Sequence, residues 1–110
     1  MTLQFDKQGK IGLIRLTGPI DASNVMDLKR KFQEWMNETS YFVMDLNQVD
    51  FIDSTGLGGL VACLKYASEA GGDLKIACLQ PKPRMVFEIT RAFKIFEVYD
   101  DVNVAIASYK

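Results

Sequence analysis

A chain of 110 residues, 48% apolar and 25% charged, has an ordinary globular balance and enough length for one domain with a single modest core. Its formal net charge of −1 gives no electrostatic argument for a nucleic acid or an anionic membrane as partner. The sequence contains no histidine, which removes Ser-His-Asp hydrolases and His-ligated zinc hydrolases together.

The first residues, "MTLQFDKQGK", carry an acid and lack both a long apolar core and a cleavage pattern, so no signal peptide is expected. Leu3 to Lys7 and Ile11 to Thr17 read as two strands joined by a turn at Gln8-Gly9-Lys10, hence a hairpin. The second run is the more continuously apolar, as in a strand well inside a sheet. Gly18-Pro19 ends it. From Ala22 to about Glu38 the period changes: Val25, Leu28, Phe32, Trp35 and Met36 recur three and four residues apart, on one helical face. Asp21 or Ser23 is placed to cap this helix. The basic run Lys29-Arg30-Lys31 is balanced by Asp27 and Glu34 and reads as a solvated helix face.

Tyr41 to Leu46 is aromatic and β-branched, a third strand, and Asp45 within it must lie at a sheet edge or find a hydrogen-bond partner. From the element Asp53-Ser54-Thr55-Gly56 a helix runs to roughly Ala70 with Leu57, Leu60, Val61, Leu64 and Ala67 on its buried side. Gly71-Gly72 stops it. Leu74 to Leu79 is a fourth strand, and Pro83 suits the first position of a short helix to about Thr90. Ile95 to Val98 reads as a short fifth strand and Val102 to Tyr109 as a last helix burying Val102, Ala105 and Ile106. The order β-β-α-β-α-β-α-β-α implies an α/β fold over residues 1–110, with a mixed sheet of four to five strands and about four helices. No apolar run approaches the roughly 20 residues that span a bilayer. Cys63 and Cys78 lack CxxC spacing and read as two reduced core thiols. These features point to a cytoplasmic protein.

The stretch Asp53-Ser54-Thr55-Gly56-Leu57-Gly58-Gly59 raises a specific question, because each glycine inside a helix costs about 1 kcal/mol against alanine. It is not a P-loop, since GxxxxGK[ST] is unmet, and the third position of a dinucleotide fingerprint falls on Val61. The hydrolase elbow GxSxG is missing as well. A phospho-aspartate receiver would want an acidic pair after its first strand, where this chain has Gln8-Gly9-Lys10. What remains is a hydroxyl pair at a helix N-terminus. Ser54 or Thr55 is then a plain N-cap, worth about 1 kcal/mol, or an exposed phosphoacceptor whose added charge of about −1.5 to −2 the helix dipole tolerates. The glycines let either another surface or the helix's own neighbours approach the backbone. Residue spacing leaves both readings open. Capture of a small anion or nucleotide at this N-terminus is a third, disfavoured because Asp53 to Val61 contains no lysine or arginine.

"RLTGPIDASN" (Arg15 to Asn24) and "VDFIDSTGLGGLVACLKYA" (Val49 to Ala67), with "YFVMDL", "GGDLKIACLQP" and "VFEITRAFKIFEVYDD" in order around them, resemble the STAS domains, within them the free-standing bacterial anti-sigma factor antagonists. The D-S-x-G-L-G element is the specific part. The resemblance implies a non-enzymatic partner switch, without cofactor or metal. Unphosphorylated, such a domain binds an anti-sigma factor that is also a serine/threonine kinase of the histidine-kinase-like ATPase type, and so frees the sigma factor. Phosphorylation releases it, and a metal-dependent serine phosphatase resets it. The acceptor corresponds to Ser54, with Thr55, where many members carry serine or alanine, as a minor second one. The partner surface corresponds to Asp21, with Ala22 and Ser23 beside it, and to Asp53, Thr55, Gly56, Leu57 and Gly58. Gly59 stands where relatives often carry a larger residue, and packing against a neighbouring loop would account for it. The domain is expected to be a monomer or weak dimer, and some members act on a partner other than a sigma factor.

Overall fold

In the computed structural model, which describes residues 1–110, one five-stranded sheet has the spatial order β1-β2-β3-β4-β5. β1 (Thr2–Gln8) pairs antiparallel with β2 (Ile11–Thr17), and β3 (Tyr41–Gln48), β4 (Asp73–Ala77) and β5 (Val98–Tyr99) follow in parallel. Between them lie α1 (Val25–Trp35), α2 (Ser54–Glu69) and α3 (Pro81–Thr90), and α4 (Val102–Ala107) ends the chain. The α/β class and the element order expected from the sequence are those observed.

Each parallel crossover steps to the next strand in the same direction. Right-handed connections therefore place α1, α2 and α3 on one face of the sheet. There the larger core forms, with Ile14, Leu16, Phe42, Met44, Leu74 and Ile76 of the strands against Leu28 and Phe32, Leu60 and Cys63, and Phe87. Helix α4 covers the other face, where Ala105 packs with Ile11, Leu13, Val43 and Ala77. Lys75 of β4, only 5% exposed, points to this second face. Its ammonium donates to Ser108 Oγ at 2.7 Å and lies 4.1 Å from the centroid of the Tyr109 ring. Tyr109 in turn donates its hydroxyl to the Phe42 carbonyl at 2.6 Å.

Several boundaries differ from expectation, each for a local reason. Helix α1 starts at Val25 rather than Ala22, and neither Asp21 nor Ser23 caps it. Asp21 instead accepts from the Ser23 amide at 2.9 Å and hydroxyl at 2.5 Å, holding residues 21–24 in a turn. Val61 is exposed, because the buried stripe of α2 runs through Gly56, Leu57, Gly59, Leu60, Cys63 and Ala67 and Val61 lies about a third of a turn from its centre. Helix α3 begins at Pro81, with Pro83 still in the first turn, where an amide proton has no intrahelical partner to lose.

Cys78 is not in a strand. It follows β4 in the left-handed region at φ 62°, half-buried, while Cys63 is fully buried; both thiols are free. The fifth strand is Val98–Tyr99 rather than Ile95–Val98. Arg91, at φ 62°, reverses the chain into a 3₁₀ turn over Ala92–Lys94, which swings Phe96 into the core and leaves Ile95 in solvent. Asp45 sits centrally in β3 and is satisfied there, accepting from the Asn47 amide at 2.9 Å and facing Arg15 Nε at 3.5 Å. The basic run on α1 is solvated as expected, with Arg30 bonded to Asp27 at 2.7 Å and Lys31 facing Glu34 at 3.4 Å.

Candidate functional site

Neighbouring parallel strands end at the same edge of a sheet, so the loops that leave β2 and β3 emerge together. Backbone pairing then ties them. Ile20 and Ile52, both buried, form an isolated parallel bridge; the Ile20 amide donates to the Phe51 carbonyl at 3.0 Å, and the Asp53 amide donates to the Ile20 carbonyl at 3.3 Å. Asp21 and Asp53, the next residues in each segment, are thereby placed beside one another. The two sequence segments singled out as candidate sites form one surface.

The start of α2 is capped by Asp53, whose carboxylate accepts from the Gly56 amide at 2.6 Å. Neither Ser54 nor Thr55 is the cap, contrary to the plain reading of the hydroxyl pair. Ser54 is instead the first residue inside the helix, exposed, with its hydroxyl in no hydrogen bond of the chain. Thr55 is exposed beside it. The Asp53 carboxylate takes the Gly56 amide and leaves the amides of Ser54 and Thr55 without a partner in the chain.

The three glycines divide into two kinds. A Cβ on Gly56 would collide with the Ile20 carbonyl, and one on Gly59 would collide with Val25 at the head of α1. These two allow α2 to press against the β2–α1 segment, and the close neighbour of Gly59 is Val25, the first residue of α1, rather than a loop. Around Gly58 there is open space. Gly56 and Leu57, expected in the partner surface, are buried; Ser54, Thr55 and Gly58 face outward, with Asp53 half-buried among them.

On the facing loop Ala22 and Ser23 are exposed and Asp21 is half-buried. Hydrogen bonds from the Ser23 hydroxyl and amide hold the Asp21 carboxyl below its usual value of 3.8. Asn24, given no role from the sequence, organises this loop: its Oδ1 accepts from the Asp21 amide at 3.0 Å and its Nδ2 donates to the Pro19 carbonyl at 2.8 Å. The signal was present as a D-x-S-N run, since Asx and Ser side chains bond readily to nearby backbone.

Comparison with known proteins fits this picture. The family model for the STAS domain matches residues 2–105. The anti-sigma F factor antagonist of Paenibacillus polymyxa is 25% identical over 105 residues, covering 92% of this chain and 90% of that protein. An anti-sigma factor antagonist from Mycobacterium paratuberculosis has the same fold at a TM-score of 0.86 and 21% identity, with 97% and 92% of the two chains covered. The Bacillus cell fate determinant SpoIIAA in its phosphorylated form matches at a TM-score of 0.76 and 18% identity, over 99% of this chain and 100% of its own. With the family model spanning nearly its whole length, this chain belongs to the STAS domain family.

Proposed function

We propose that this STAS domain is an anti-sigma factor antagonist whose binding to a serine-kinase anti-sigma factor is switched off by phosphorylation of Ser54. The observation that carries the reading is the division of labour at the head of α2. Asp53 does the capping, so the exposed Ser54 hydroxyl has no duty in the fold. The amides of Ser54 and Thr55 donate to no partner within the chain, as expected for the first positions of a helix, and such groups suit a nearby anion. The names of the relatives support the same role. The domain is a substrate and binding module in this reading, and the kinase and a metal-dependent serine phosphatase supply the chemistry.

Ser54 is exposed at a helix N-terminus, where the dipole favours a phosphate of about −1.5 to −2 charges by about 0.3–1 kcal/mol against repulsion from Asp53, so the fold is expected to stay intact. A partner docked on Asp21, Ser54, Thr55 and Gly58 meets that charge directly. Repulsion and desolvation of about 3–4 kcal/mol weaken binding some hundredfold or more.

Incubating the chain with ATP and each histidine-kinase-like ATPase of its source genome, followed by mass spectrometry, tests the assignment. One phosphate on Ser54 is expected; undiminished incorporation in Ser54→Ala overturns it. In pull-down, Ser54→Ala is expected to hold the kinase constitutively and Ser54→Asp to bind it at least tenfold more weakly. Equal binding by the two variants refutes the electrostatic switch.

A further inference from the structure

Helix α3 is apolar on two sides. Pro83 and Phe87 face the core and the half-buried Val86 packs at its edge, but Met85 and Ile89, four residues apart, carry the apolar surface on to the outward side beside the stem of Lys82. Met85 is 57% exposed and Ile89 78%, and Phe51 of the β3–α2 loop is 49% exposed. These three line a single groove with Ile52, Val86 and Lys82, about 270 Å³ in volume. Phe51 is three residues from Ser54, and Ile52 is the residue bridged to Ile20, so the groove abuts the Ser54 surface. Three large apolar side chains left in water beside one another cost burial energy that the fold had the option of keeping, and such a patch marks a contact surface. Lys82, at its rim, belongs to none of the chain's ion pairs, each of which uses another cation.

We infer that the groove between Phe51 and the outer face of α3 is a second docking surface for the same kinase partner, taking an apolar side chain of that partner with an acidic residue next to it. The inference rests on the Ser54 reading for the partner's identity. Continuity with the Ser54 surface argues for the occupant, and the unpaired Lys82 ammonium selects the acid at the rim. The groove then holds the kinase while its active site reaches Ser54, so it contributes to affinity without touching the reacting hydroxyl.

The test is the double variant Met85→Ser/Ile89→Ser. Both side chains stand largely in solvent, so the fold is expected to survive, with circular dichroism and thermal unfolding as controls. With each purified histidine-kinase-like ATPase of the source genome and ATP, the variant is expected to raise KM for Ser54 phosphorylation at least tenfold with kcat unchanged. Lys82→Glu is expected to raise KM by a similar factor. An unchanged KM with Ser54 still modified overturns the groove and leaves the Ser54 reading standing. Binding that is lost in the variant, with no phosphate on wild-type Ser54, supports the groove and overturns the Ser54 reading. If no kinase of the panel binds the wild type, both fall. Self-association of the wild type at about 100 μM that the variant abolishes, seen by sedimentation, makes the occupant a second copy and overturns the assignment.

Discussion

Gly56, Gly58 and Gly59 lie within about one turn of α2, yet the physics at each is different. At Gly56 the obstacle to a side chain is the backbone of Ile20, which is locked in the bridge to Ile52 and cannot retreat. At Gly59 it is one methyl of Val25, and at Gly58 there is none. Alanine scanning should therefore give opposite signs. Gly56→Ala is expected to cost about 3 kcal/mol and Gly59→Ala about 1–3 kcal/mol, as overpacked sites do. Gly58→Ala should stabilise by about 0.5–1 kcal/mol through helix propensity. Urea unfolding of the three variants decides this, and a destabilised Gly58→Ala would show that the helix needs a bare backbone there. The fold gives no reason for glycine at Gly58, which sits on the proposed landing surface. Glycine at three positions was visible as a cost in the sequence, but which of them served packing depended on Ile20 and Val25, residues more than 30 positions away.

Among the elements, α3 shows how one residue's local conformation fixes the path of the next segment. The residue that caps its C-terminus, Arg91, adopts the left-handed conformation at φ 62°, where residues with a Cβ are disfavoured by about 1–2 kcal/mol. The reversal it makes is what turns the 3₁₀ segment and buries Phe96 against Phe87, with ring centroids 5.6 Å apart. Arg91→Gly supplies the same backbone without the strain, and a gain of about 0.5–1 kcal/mol in thermal or urea unfolding is expected. A loss instead would mean that the Arg91 side chain makes a compensating contact. No pattern in "ITRAFKIFEV" signals a left-handed arginine, and this is why the fifth strand was expected three residues too early. Helix α2, by contrast, was legible to within a residue at its C-terminal end, where Gly71 stops the periodicity, while its start lies earlier than the hydroxyl pair suggested because Asp53 takes the cap.

For the molecule as a whole, burial of weak acids makes stability fall in alkaline solution. The Cys63 thiol, enclosed between sheet and helices, is pushed by desolvation from 9.0 to about 12, and burial also raises the Tyr109 phenol above its usual value of 10.0. A raised folded-state value means that the unfolded chain ionises first. The contribution is complete below the unfolded value and is lost as pH rises past it, from about 9 for Cys63 and from 10 for Tyr109. Between pH 8 and pH 10 the Cys63 share of the loss is about 1.4 kcal/mol. Urea titrations at the two pH values should show that drop, and Cys63→Ala should flatten it while lowering stability at both. An equal slope in the variant would place the alkaline loss elsewhere. This dependence follows from enclosure, which Cys63's helical spacing suggested and Cys78's strand-like neighbours suggested wrongly.

By itself the sequence determined the order of strands and helices, the hairpin at the start, the helix that opens at the Asp53-Ser54 motif, and the type of chemistry open to a chain without histidine. Those are matters of local periodicity, turn residues and composition, and each is decided within about 10–20 residues. Only the tertiary structure decided that three helices share one face while α4 takes the other, since crossover handedness acts on the assembled sheet. It decided also that Asp53 rather than a hydroxyl caps α2, and that two glycines serve the interior and one the surface. Above all it brought Ile20 against Ile52, which joins the Asp21 loop to Ser54. A contact between residues 32 apart in the chain is made by strand pairing, and no periodicity records it.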